Sequence, residues 1–356
     1  MAVNAHGLNV LFQSTILPMP YPATPFTALQ WDASLASTLA DASAALARLD
    51  GRVCASSVRT SWKLRAGWAG YAAALQLQQS PLEEIDIIAE RCSLRLPARP
   101  VPRTEDEPFA AYEGWFSQLN EADGRHWTEN LPFTFERPAG WDDSPALIRA
   151  LTLLDQFSRA DRTSAPWLAF PVLLRRLGIA RIALPCMVVG DAAQRSLRDA
   201  RPALLKRLLK QVTRAAEAGL ERLDRLETNT RRAAITIASE HRPGKLETLS
   251  RITLSRPCLA ARSAAPLLGL TISGAGKLLE RAVRLSLLTE ISGRGTWRTY
   301  VAPDVAVALG VCAAPRGRPQ SLSTMAPDAA IILSNFEREM AEIDAMLEKL
   351  GIDREL

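Results

Sequence analysis

A mainly α-helical fold with one small β-hairpin near the C-terminal end is what this 356-residue sequence predicts. Leu, Ala and Arg dominate, and runs of β-branched residues are scarce. Apolar side chains recur every three or four residues over most of the chain, the period of a helix with one buried face. The stretch 288–301 breaks that period: two short apolar runs flank the turn Ser292-Gly293-Arg294-Gly295, the pattern of a hairpin. With 47% hydrophobic residues, the chain is long enough for two domains with their own cores.

Residues 1–30, rich in Pro, Thr and Ala, read as an irregular arm. Within it, residues 6–14 loosely resemble a protease-recognition tag from which Asn9 departs, and a native arm is the equal alternative. A patterned helix opens at Trp31-Asp32, aligns Leu35, Leu39, Ala42, Leu46 and Leu49, and is expected to stop at Asp50-Gly51. Residues 61–79 set Trp62, Trp68 and Tyr71 among small residues, which predicts close helix packing. The next helix starts at Ser80-Pro81 with Glu83, Glu84, Asp86 and Glu90 outside and Ile85, Ile88 and Ala89 inside. Those carboxylates suit a solvated helix start, favoured by the helix dipole, better than an acid/base pair.

Prolines and charges make 96–108 a loop, after which 109–120 is amphipathic through Trp115, Phe116 and Leu119. His126 stands alone in a polar stretch and reads as structural. Asp142, Asp143 and Ser144 before Pro145 read as a helix start, and the helix runs to 157. Residues 166–177 form another, stopped by Gly178, while 179–189 suits either a short helix or a buried connection. The longest periodic segment, 201–239, carries the stripe Leu205, Leu209, Val212, Ala216, Leu220, Leu223 and Leu226, and reads as a long connecting helix.

The most informative stretch is 245–303. A helix over 245–254 is followed by one over 259–268 that ends at Gly269. The turn Leu270-Thr271-Ile272 leads to Ser273, a cap for a helix over 274–287. That helix sets Ala275, Leu278, Leu279, Ala282 and Val283 on one side and Gly274, Lys277, Arg281 and Arg284 on the other. Helices followed by a hairpin are the order of a winged helix-turn-helix. A recognition helix enters the major groove N-terminus first, and Ser273, Gly274, Ala275 and Gly276 are small enough for close approach.

Charge supports the same reading. Residues 251–320 hold ten basic residues against three acidic ones, a surplus of seven in a chain whose total is +5. The remainder therefore sums to −2, and the basic surplus is local, as phosphate neutralisation requires. The expectation is double-stranded DNA as partner and transcriptional regulation as role. Ser273, Gly274, Ala275 and Lys277 would face base edges, and Arg281 and Arg284 would lie on or near phosphates. Arg294 and Arg298 would contact backbone or minor groove, on a wing turned by Gly293 and Gly295. The same fold can also dock another protein, as an adaptor or antitoxin would.

Five cysteines (54, 92, 186, 258 and 312) are scattered without a C-x-x-C pair, and three histidines stand far apart. That is the usage of reduced thiols in a cytoplasmic protein, with no metal set, no cofactor and no catalytic constellation expected. The longest apolar stretch, 177–189, is too short to span a bilayer and holds Arg181. No Lys or Arg precedes Arg48, which argues against a secretory signal. After a Pro/Gly/Arg linker at 313–327, residues 328–356 form a last helix whose narrow stripe (Ile332, Phe336, Ile343, Met346, Leu347, Leu350) suits a coiled-coil contact. A homodimer through that helix or the connecting helix follows as an expectation. The layout is then an arm (1–30), a helical domain of unknown role (31–240), the winged module (245–312), the linker and the C-terminal helix.

Two resemblances accompany these readings. Residues 215–226 (AAEAGLERLDRL), 256–270 and 287–300 (LLTEISGRGTWRTY) resemble a bacterial family that pairs a helical domain of unknown role with a C-terminal helix-turn-helix. The resemblance spans most of the chain after Leu39, and it implies DNA binding. More distantly, residues 39–53 and 167–226 look like parts of Fic-type nucleotidyl transferases, which imply transfer of a nucleotide to a protein. Where that family carries a catalytic His and a Gly-Asn-Gly cradle, this chain has Asp155-Gln156-Phe157-Ser158-Arg159-Ala160-Asp161-Arg162-Thr163. Without a base near neutral pH or free backbone N–H groups for a pyrophosphate, the resemblance implies a non-standard or dead site.

Overall fold

The computed structural model describes residues 24–92, 109–120, 135–191, 194, 200–292 and 298–313. The arm up to residue 23, the loop 96–108, His126, most of the linker and the C-terminal helix lie outside the described residues, as do Gly293, Arg294 and Gly295. The chain up to Cys312 is one compact unit.

Helices predominate. α1 (Ala33–Ala55) starts at Asp32, whose carboxylate accepts from the Leu35 backbone N–H at 2.6 Å. After it come α2 (Arg59–Leu77), α3 (Glu84–Arg91), α4 (Ala110–Asn120), α5 (Ala146–Ala160) and α6 (Ala165–Arg176). α7 (Arg201–Ala238), at 38 residues, is about 57 Å long. It lies along α1, burying Leu205, Leu209, Val212, Ala216 and Leu223. Trp62 of α2 is fully buried there and donates its indole N–H to the Gly219 carbonyl at 2.8 Å. Among the described residues no helix is long and apolar enough to cross a membrane.

Beyond α7 the chain builds a smaller assembly: α8 (Leu246–Ser255), β1 (Cys258–Ala260), α9 (Ala261–Leu268), α10 (Ile272–Arg284), β2 (Thr289–Glu290) and β3 (Thr299–Val301). A last short helix, α11 (Pro303–Ala308), follows. The three strands form an antiparallel sheet in the order β1-β3-β2, with Leu259 opposite Tyr300 and Glu290 opposite Tyr300 on the other edge. Ile237, Leu246, Leu249, Leu259, Ala264, Leu268, Leu279 and Tyr300 belong to its core, so the end of α7 caps it. Val301, Val305 and Ala306 turn the other way, into the main core of α1, α2 and α7.

Several boundaries differ from the sequence expectation, each for a tertiary reason. Asp50-Gly51 does not end α1: the Asp50 carboxylate is buried and accepts from both the backbone N–H and the Nε of Arg181, at 3.0 and 2.8 Å. The arm is not irregular to residue 30. Phe26 is fully buried in a short 3-10 turn, and the Arg201 guanidinium lies over its ring at 4.2 Å. Ser144 does not cap α5 but turns its hydroxyl back to the Gly140 carbonyl. In α3 the fully buried pair is Ile87 and Ile88, with Ile85 half-buried. Residues 179–189 contain no helix and form the buried connection, with Leu184 and Met187 inaccessible.

Candidate nucleic-acid interface

The expected helix over 259–268 begins as a strand. Residues 258–260 pair with β3, and the helix starts only at Ala261, where the Ser263 hydroxyl accepts from the Ala260 N–H. Gly269, at φ +62°, ends α9 as expected. Thr271, not Ser273, caps α10: its Oγ1 accepts from the Gly274 N–H at 3.1 Å, and the helix begins at Ile272. That leaves the Ser273 hydroxyl exposed in the first turn.

α10 buries Ala275, Leu279 and Ala282 in the smaller core. Ala275 is therefore withdrawn from the residues facing a ligand: it is fully inaccessible. Ser273, Lys277 and Arg284 are exposed along one stripe, four and seven residues apart, with half-buried Gly274 at its start. Among the described residues, neither Lys277 nor Arg284 has a carboxylate partner. Arg281 lies on the same side but is half-buried and ion-paired with Glu240, just past the end of α7. Arg298, just before β3, reaches back to Glu280 of α10 at 2.9 Å. Its phenolic neighbour Tyr300 and the nearby carboxylates hold its guanidinium above its ordinary range. Two of the expected phosphate-binding arginines thus tie α10 to its surroundings.

The hairpin is closed at its base by Ser292, whose hydroxyl donates to Glu290 and accepts from the Thr299 N–H at 3.2 Å. The Ile291 N–H bonds the Thr299 carbonyl at 3.0 Å. The wing-turn residues Gly293, Arg294 and Gly295 fall between these and outside the described residues.

Composition alone gave no sign of two large apolar side chains at the surface here. Ile272 is 58% exposed at the first residue of α10, and Leu267 is 37% exposed at the end of α9. Ile272 is in helical register with Ala275 and Leu279, and only its position at the first residue of α10 leaves it exposed. Arg262, exposed on α9, is a further cation on the same assembly.

The segment 155–163, compared above with a nucleotidyl-transferase loop, is the end of α5 and the turn before α6. Asp155 is fully buried; it takes a bidentate pair from Arg201 at 3.0 and 2.6 Å and pairs with Arg159. Asp161 caps the turn by accepting from the Thr163 N–H at 2.7 Å. Among the described residues, no three His, Cys, Asp or Glu side chains are grouped to hold a metal ion. The thiols of Cys92, at the end of α3, and Cys258, on β1, interact, which holds Cys92 below the ordinary thiol range and Cys258 above it. No family model matches the chain, and no curated protein shows significant similarity to it.

Proposed function

We propose that residues 246–301 are a winged helix that binds double-stranded DNA, and that the protein is a cytoplasmic transcriptional regulator. One observation carries the reading: the exposed stripe of α10, Ser273, Lys277 and Arg284, which begins in the first turn of the helix. The helix dipole favours a phosphate at that end, and the two cations without a carboxylate partner extend the favourable surface along the helix. The strand order β1-β3-β2, with a hairpin whose sequence carries Arg294, supports the reading of this hairpin as a wing. In this reading Ser273 and Lys277 meet base edges and Arg284 a phosphate. Arg281 and Arg298 position α10 through Glu240 and Glu280. The bacterial family with a helical domain and a C-terminal helix-turn-helix remains the proposed kinship.

Selection of bound sequences from a random duplex pool is the direct test, and a palindromic product would identify a homodimer. The double substitution Lys277→Ala, Arg284→Ala should weaken binding and reduce the slope of log K against log salt by about one unit per lost phosphate contact. Arg281→Ala should act mainly on stability, because it leaves half-buried Glu240 without its cation. Binding and salt slope unchanged in the double variant would defeat the proposal.

A further inference from the structure

We infer that the junction between the helical body and the smaller assembly is a binding site for a small organic monocarboxylate. A cavity of about 290 Å³ lies there, between α2, α3, α7 and α11. One part of its wall is apolar, with Ile85, Ile88, Leu226 and Val305 among its lining residues. Another part is cationic, formed by Arg65, Arg222 and Arg225, with Glu84 and Asp304 as the acidic counterparts.

Arg65 supplies the second, independent sign of a ligand. Its side chain is 3% exposed, donates to Asp304 at 2.7 Å through Nε, and reaches the Thr253 carbonyl at 3.4 Å through Nη2. Nη1 is buried and has no hydrogen-bond partner. A buried guanidinium N–H left without an acceptor is costly, and an anion or water placed in the cavity removes that cost. The same side chain also lines a second, smaller cavity of about 110 Å³, together with Thr253, Ser286 and Leu287. Arg65 thus lines two spaces.

Charge selects the class of ligand. Arg222 is neutralised by a bidentate pair with Glu84 at 2.6 and 2.9 Å, and Arg65 by Asp304. Arg225 pairs only with Glu221 of its own helix, with both side chains largely in solvent, a weak partnership. The lining therefore has one positive charge in surplus, which suits a single carboxylate. A phosphate dianion would bring a second charge beside Glu84 and Asp304 with nothing to balance it. The apolar wall suits a compact hydrocarbon body, and the volume lies at the lower end of small-molecule sites.

Position gives the site its consequence. Asp304 is the second residue of α11, which follows β3 directly, so a carboxylate bound there lies beside one of the contacts that join the smaller assembly to α2.

The test uses the full chain without DNA, so its failure leaves the DNA-binding reading untouched. Benzoate and hexanoate at millimolar concentration should raise the melting temperature, following RT ln(1 + [L]/Kd). Neutral benzamide and inorganic phosphate should not. Arg225→Ala, which removes an exposed side chain, should weaken benzoate binding by about tenfold or more in calorimetry. Ala308→Trp, placed at the exposed end of α11 on the cavity rim, should abolish the shift while leaving the circular dichroism spectrum unchanged. No shift with either carboxylate, an equal shift with benzamide or phosphate, or benzoate binding undiminished in Ala308→Trp would each overturn the inference.

Discussion

At the residue scale, the helical body depends on positions where a side chain is missing. Gly70 of α2 lies so close to the connection after α6 that a β-carbon built on it would stand 2.0 Å from the Pro185 carbonyl oxygen. The obstacle is backbone, which cannot swing aside. Gly70→Ala should therefore cost about 3 kcal/mol or more, at the upper end of overpacking penalties, read as a lower urea midpoint with the slope unchanged. Gly219 works the same way on α7: its bare Cα admits Leu49 and the Cys186 thiol, and its carbonyl receives the Trp62 indole N–H. The sequence showed that small residues surround Trp62, Trp68 and Tyr71, and from this tight packing could be read. It could not show which glycine meets which neighbour, because Pro185 and Gly70 are 115 positions apart. Asp155 was equally opaque. In a string of letters it is one carboxylate in a polar run, whereas in the fold it is the fully buried partner of Arg159 and Arg201.

Individual helices were the most legible part. The stripes of α1 and α7 follow directly from periodicity, and Gly269 marks the end of α9 because it sits at φ +62°. Where expectation failed, a partner distant in sequence decided the outcome. β1 looks like the first turn of a helix until β3, some forty residues later, supplies its hydrogen bonds. Thr271 and Ser273 are both good caps, and only the backbone geometry chooses Thr271. α11 went unnoticed because its Ala-Val sequence has no distinct polar face. One helix end is open to improvement. Gln79, just past the end of α2, sits at φ +61°, a left-handed conformation that L side chains adopt at a cost. Gln79→Gly should stabilise the protein by roughly 0.5–1 kcal/mol, seen as a higher melting temperature. A lower one would mean that the Gln79 side chain makes a contact worth more than the strain.

On the scale of the whole molecule, the body around Tyr71 predicts an alkaline weakness. Tyr71 packs edge-on to Tyr112 at 5.3 Å, and burial pushes its phenol up to about 12; burial raises Tyr112 as well. Below pH 10 both phenols are protonated whether the chain is folded or not, and no stability is lost. Above pH 10 the unfolded phenol ionises while the folded one cannot, so stability should fall between about pH 10 and 12, by roughly 2–3 kcal/mol for Tyr71. Urea unfolding across that range should show the decline, and Tyr71→Phe should lessen it; a variant as pH-sensitive as the wild type would contradict the assignment. The shared end of α7 has a practical consequence for dissecting the molecule. Ile237 closes the core of the α8–β3 assembly, while Val301, Val305 and Ala306 rest on the body and Asp304 binds Arg65. A fragment cut at residue 245 would lose its lid and lay bare an oily back, so a soluble excised module needs α7 from ahead of Ile237 and polar replacements at Val301 and Val305.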